Sequence, residues 1–182
     1  MSVLWTRHNS FLRCQEPSTE AERTAKVVAA ILQDEKLVVP LDENEFTGPK
    51  GSIYCYIDLK GACPSQDFLD QLRSAASKGY AVSFRLHCQG HQLRGEKHHV
   101  WQDFEQLGEY KHNQSKTRIM HTFELNSTHV LLFGFGSKTE DEVNSEHVNR
   151  AVRLQQEYKR RRDEIELRIR QEFRRGGTYR GK

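Results

Sequence analysis

Between Thr139 and Arg175 the chain contains neither proline nor glycine. Val148, Ala151, Val152, Tyr158, Ile165, Ile169 and Phe173 recur there at helical spacing, on one side of a wheel. This predicts one amphipathic helix over 139–175, with a short basic tail over 176–182. About 30 residues at ~1.5 Å each span roughly 45 Å. That exceeds the width of a small body, so the helix either projects or lays its apolar stripe on a second subunit. A homodimer is the expectation.

The preceding residues, 1–138, read as one compact α+β body. Thr19-x-x-Glu22 is a capping box opening a helix to about Gln33, with Ala21, Ala25, Val28 and Leu32 on its apolar face. Leu37–Val39 is a short strand ended by Pro40. Ile53, Cys55, Ile57 and Leu59 alternate with polar residues and predict a half-buried strand. Ser65 caps a helix through Phe68, Leu69, Leu72, Ala75 and Ala76, which Gly79 ends. Val82, Phe84, Leu86 and Cys88 alternate as a further strand. Val100–Leu107 is a weaker strand, and Gly108–Lys116 a loop. Ile119–Leu125 and Val130–Phe135 form a hairpin, with Gly134 and Gly136 marking a bulge or a close approach. The expected fold is an antiparallel sheet of about five strands, two covering helices and the long basic C-terminal helix.

Charge is unevenly spread. Residues 147–182 hold 12 Lys and Arg against 5 Asp and Glu, a net of +7, whereas the rest holds 16 against 20, a net of −4. An acidic body with a basic end is the asymmetry of a chain that meets a polyanion. The longest apolar run, Val130–Phe135, is far short of the ~20 residues of a membrane helix. Cys14, Cys55, Cys63 and Cys88 follow no framework spacing and read as free thiols, so the expected setting is the cytoplasm, or the nucleus if Lys159–Arg162 is an import address.

Lys159, Arg160, Arg161, Arg162, Arg168, Arg174 and Arg175 are the expected phosphate contacts, because each guanidinium can fork onto a phosphate. Arg85, His87 and Arg118, on polar strand faces, would add a second surface. RNA, double-stranded or structured and bound largely without sequence preference, is the expected partner. The same helix also supports other readings. Pairs such as Arg153–Glu157, Lys159–Asp163, Arg160–Glu164 and Arg162–Glu166 are spaced i,i+4 and would make a self-supporting solvated helix, or one docked on a protein partner.

Six of the nine histidines lie between His87 and His121. Cys88-x2-His91 has ligand-pair spacing, and His98 or His99 would complete a zinc site across the Gly90–Gly95 turn. Such a zinc-stabilised domain, or a metal-dependent nuclease using Asp58 with Glu105 or Glu124, is the third reading. The sequence carries no glycine-rich phosphate loop, nucleophile elbow, HExxH or kinase signature. Neither a cofactor nor a set of catalytic residues is therefore expected.

Overall fold

The computed structural model describes residues 30–42, 45–48, 50–93, 95–124, 127–136 and 143–174, with the backbone alone for 172–174. The capping box at Thr19, Cys14, Arg94, Arg175 and the tail lie outside the described residues. So does the side chain of Arg174. The end of a helix, α1, covers 30–34. It is followed by β1 (Val38–Pro40), β2 (Thr47–Gly48), β3 (Gly51–Tyr56), α2 (Pro64–Asp70), α3 (Ser74–Cys88), β4 (His98–Val100), β5 (Leu107–His112), a 3-10 turn (Asn113–Ser115), β6 (Thr117–Glu124), β7 (Thr128–Gly136) and α4 (Ser145–Arg174).

The strands form one sheet in the order β1-β3-β7-β6-β5-β4, with β2 also paired to β3. The sheet is mixed, not antiparallel as expected: β3 runs parallel to β7, while the other pairs are antiparallel. The chain between β3 and β7 includes both helices and three strands, so β7 arrives beside β3 with the same polarity, the arrangement that a long crossover permits.

Both faces of the sheet are covered. Tyr80, Phe84 and Cys88 of α3 pack with Phe46, Ile53, Cys55, Tyr110, Ile119 and Leu131 on one face. Ala151, Leu154, Tyr158 and Ile165 of α4 pack with Tyr56, Met120, Val130, Leu132 and Phe133 on the other, joined by Ile31 and Leu32 of α1. A register shift between Met120 and His121 lets Leu132 and Phe133 of β7 both reach the α4 side. The expected close approach at Gly134 is made by Phe68, whose ring would lie 1.9 Å from a Cβ placed there.

Two further expectations change. Val82–Cys88 belongs to α3, not to a strand, and Gly79 sits within that helix. The segment carries two periods at once. Ala76, Tyr80, Phe84 and Cys88, spaced four apart, are the buried apolar set, with Ser83 buried beside them, whereas Val82 is exposed. Gly108–His112, expected as loop, is most of β5. Its Glu109 looked too polar for a sheet interior, but Arg118 of β6 donates to it at 2.7 Å. Arg118 is only 4% exposed, so it forms part of a buried ion pair and not of an outer sheet surface.

Helix α4 begins at Ser145, later than expected, and its apolar stripe finds cover within the chain. Val148, Ala151, Leu154, Tyr158 and Ile165 are buried, and Val152 and Ile169 are partly so. No second subunit is needed to cover these residues.

Removing one member of a buried ion pair strands the other charge and costs about 3–5 kcal/mol, whereas an exposed i,i+4 pair contributes about 0.3–0.5 kcal/mol. Arg118→Ala leaves the buried Glu109 only the longer pair to Lys111 at 3.5 Å and should lower the urea midpoint clearly, whereas Arg160→Ala should leave it almost unchanged.

Candidate metal centre

Of the cations expected to face phosphate, Arg161, Arg162 and Arg168 tie α4 to the body, whereas Arg160 and Arg85 make exposed pairs. Arg161 of α4 donates to the Ile57 carbonyl at 2.6 Å and to the Tyr56 hydroxyl at 3.1 Å. Arg162 bridges Glu124 at 2.6 Å and Asp163 at 2.7 Å. Glu124 is pushed up by burial and pulled down by Arg162. Arg168 pairs with Glu35 at 2.5 Å, and Arg160 with Glu164 at 3.0 Å. Lys159 is half-buried. Arg85 lies on α3 and pairs with Glu45. These residues do not share one face: α4 covers one side of the sheet, and Arg85 and His87 lie on α3 across it.

The histidines converge instead. Strand alternation and register place His98 of β4, His121 of β6 and His129 of β7 on the α3 side of the sheet. His98 pairs in register with Tyr110, and His121 with Gly108. His98 must therefore reach across β5 to meet His121. Gly108 permits it, because a Cβ there would lie 2.7 Å from His121 Nε2 and 2.8 Å from its Cε1. The two Nε2 atoms stand 3.0 Å apart. One ligand atom from each of the three rings falls within 4.8 Å of the others. Phe123 closes the edge of the group, with ring centroids 4.8 Å from both His121 and His129.

His129 and His87 are oriented by hydrogen bonds to their surroundings, whereas His98 and His121 share one with each other, Nε2 to Nε2. The Tyr110 hydroxyl lies 2.7 Å from His129 Nδ1. When Nδ1–H donates to it, the Nε2 lone pair is left for an ion, the role an outer partner plays for a metal-bound histidine. His87, at the end of α3, stacks on His129 at 3.8 Å between centroids. Its Nε2–H donates to the Ser127 carbonyl at 2.6 Å, which fixes its tautomer. His121 Nδ1 is buried without a hydrogen bond of good geometry.

Burial keeps these rings neutral. It holds His98 down to about 4 from the ordinary 6.5, helped by His87, His99 and Lys111 nearby. Burial also pushes His121 and His129 well below their ordinary value, reinforced by the neighbouring imidazoles, and lowers His87. Neutral imidazole is the form that binds a metal.

Two of the three rings, His98 and His129, open onto a cleft of about 370 Å³, also lined by His87, His91, Gln92, Leu93, His99 and Val100. The Cys88–His91 pairing expected from spacing does not form. Cys88 Sγ donates to the Phe46 carbonyl at 3.3 Å, and burial lifts the thiol to about 11. Cys55, Cys63 and Cys88 are free thiols. Of the ligand set, spacing picked out His98 alone. The signal for the others lay in strand phase, since His121 alternates with Ile119 and Phe123, and His129 with Leu131. A histidine in the inward phase of a hairpin is a buried histidine.

The chain matches no protein-family model and no curated protein sequence.

In the unfolded chain these imidazoles take up protons near pH 6.5, whereas the folded ones stay neutral to much lower pH. The unfolded state then binds more protons below pH 6.5, so stability should fall on acidification. Each histidine contributes a slope of up to about 1.4 kcal/mol per pH unit between its two pKa values. For His98 the loss runs from about 6.5 down to about 4. Urea midpoints measured from pH 7 to pH 4 without added metal should show the decline, and His98→Phe should make it shallower by one histidine's share while His121, His129 and His87 sustain the rest.

Proposed function

We propose that this chain binds one transition-metal ion of the zinc class through His98, His121 and His129, in a centre of the catalytic kind. The observation that carries the reading is the meeting of three neutral imidazoles from three strands, made possible by the missing side chain of Gly108. Zn–N bonds of about 2.0–2.1 Å place two tetrahedral ligands about 3.3 Å apart. Without an ion His98 and His121 share an Nε2–Nε2 hydrogen bond of 3.0 Å, and the three ligand atoms, within 4.8 Å of one another, would draw together around a metal that replaces it. Imidazole donors suit zinc, copper, iron and nickel. Structural zinc sites use four protein ligands, whereas three with a further position facing a cleft is the catalytic pattern.

The protein's own residues have separable tasks in this reading. Tyr110 holds the His129 ring through Nδ1, and Phe123 with the stacked His87 excludes water from its flanks. A bound ion would supply Lewis acidity and lower the pKa of a coordinated water toward about 7.

Titration with zinc should give one ion per chain and raise the thermal midpoint. His121→Ala and His129→Ala should abolish stoichiometric binding, and a wild-type titration without saturation at one ion per chain would sink the proposal. Gly108→Ala should keep the sheet but weaken affinity at least ten-fold, because the added methyl displaces the His121 ring.

A second reading, RNA contact, is favoured by the +7 of residues 147–182 and by Arg153, Arg160 and Arg170 on the exposed face of α4. Arg153 makes no ion pair among the described residues, and Arg160 and Arg170 make only exposed i,i+4 pairs that a phosphate can displace. The expected signature is an affinity for duplex RNA that drops steeply between roughly 50 and 200 mM salt. It should weaken further in the triple Ala variant of these arginines. A flat salt response excludes this reading.

A further inference from the structure

We propose that the cleft before the three imidazoles receives a small phosphate ester, one anionic oxygen of which becomes the fourth ligand of the ion; this rests on the metal reading above. Charge is the first argument. The three ligands are neutral, so a bound dication keeps its full +2, and no carboxylate or thiolate belongs to the group. Among the described residues its lining adds none, the polar members being His87, His91, Gln92 and His99. A partly buried dication with no acidic ligand draws an anion from solution, because an unpaired charge in a partly dry site is costly.

The wall chemistry and size narrow the anion. His91 and Gln92 line the cleft with exposed side chains that carry N–H donors, which suits an oxyanion with several acceptor oxygens. The ring of His99, in the opposite strand phase to His98, packs on Trp101 instead. His87 is committed differently, its Nε2–H already given to Ser127, so it lines the base without competing for the ligand. Leu93 and Val100 add an apolar side to the same cleft. A space of about 370 Å³ is near the lower end for small-molecule sites and holds an oxyanion with a modest organic substituent. A phosphate monoester or diester has both parts. Long polymers fit less well: the basic helix α4 lies on the opposite face of the sheet, so a strand bound there is not led to the cleft.

Loading the full chain with Co2+ separates this inference from the reading beneath it. Three imidazoles and one oxygen around cobalt give visible ligand-field bands. Titration with phenyl phosphate should shift those bands saturably, with inorganic phosphate at least ten-fold weaker because it leaves the Leu93–Val100 side unfilled. His91→Ala with Gln92→Ala should leave the bands of the ligand-free cobalt protein unchanged and weaken phenyl phosphate about ten-fold. Bands that appear but ignore both phosphates, or respond equally to chloride, overturn the inference and leave the metal reading standing. If no bands appear at one equivalent of cobalt, both fall.

Discussion

A sheet covered on both sides imposes the constraint from which the rest of this structure follows. Each central strand must satisfy two interiors at once, and alternation assigns every side chain to one or the other. In β6 and β7 this sends Ile119, His121, His129 and Leu131 toward α3, and Met120, Val130, Leu132 and Phe133 toward α4. The shift beside His121 reconciles the two assignments over strands of unequal demand. A polar ring in the inward phase then has no route to water. It must be hydrogen-bonded, stacked or bound to something. His129 meets that demand through Tyr110 and the stacked His87, His98 and His121 share one hydrogen bond, and His121 Nδ1 is left without a partner of good geometry.

The same two-sidedness separates the features that carry charge and chemistry. The histidine cleft opens on the α3 side, and the basic helix closes the other. Neither can be read as an extension of the other, so metal chemistry and polyanion contact are independent proposals. Within α4 the cations are divided as well. Arg161, Arg162 and Arg168 tie the helix to the residue after β3, to β6 and to the turn after α1 through the Ile57 carbonyl, Glu124 and Glu35. Gln155 adds bonds of 2.9 and 3.0 Å to the Glu105 carbonyl and the Thr122 hydroxyl. These side chains do the work of docking; among the described residues Arg153, Arg160 and Arg170 face solvent, and the exposed Arg150 lies over the Phe133 ring.

Local pattern alone determined a good part of this protein. The long terminal helix, the β6–β7 hairpin, the strand around Ile53–Cys55 and the short strand before Pro40 each carry a period or a breaker that acts within a few residues. Where two periods overlap, as in Val82–Cys88, local pattern was ambiguous, and burial of Tyr80 and Phe84 against β3 and β5 decided for helix. The basic composition of α4 was equally visible, as was the crowding of histidines after His87.

Only the tertiary structure decided which charges are spent and which rings meet. Glu124 and Arg162 are 38 residues apart, Glu35 and Arg168 far more, and no spacing rule links them. His98 meets His121 because a glycine stands on the strand between them, a fact of register and not of sequence distance. Period and capping act over one or two turns of chain, but an ion pair or a ligand set is fixed by proximity in space, which the order of strands β1-β3-β7-β6-β5-β4 creates.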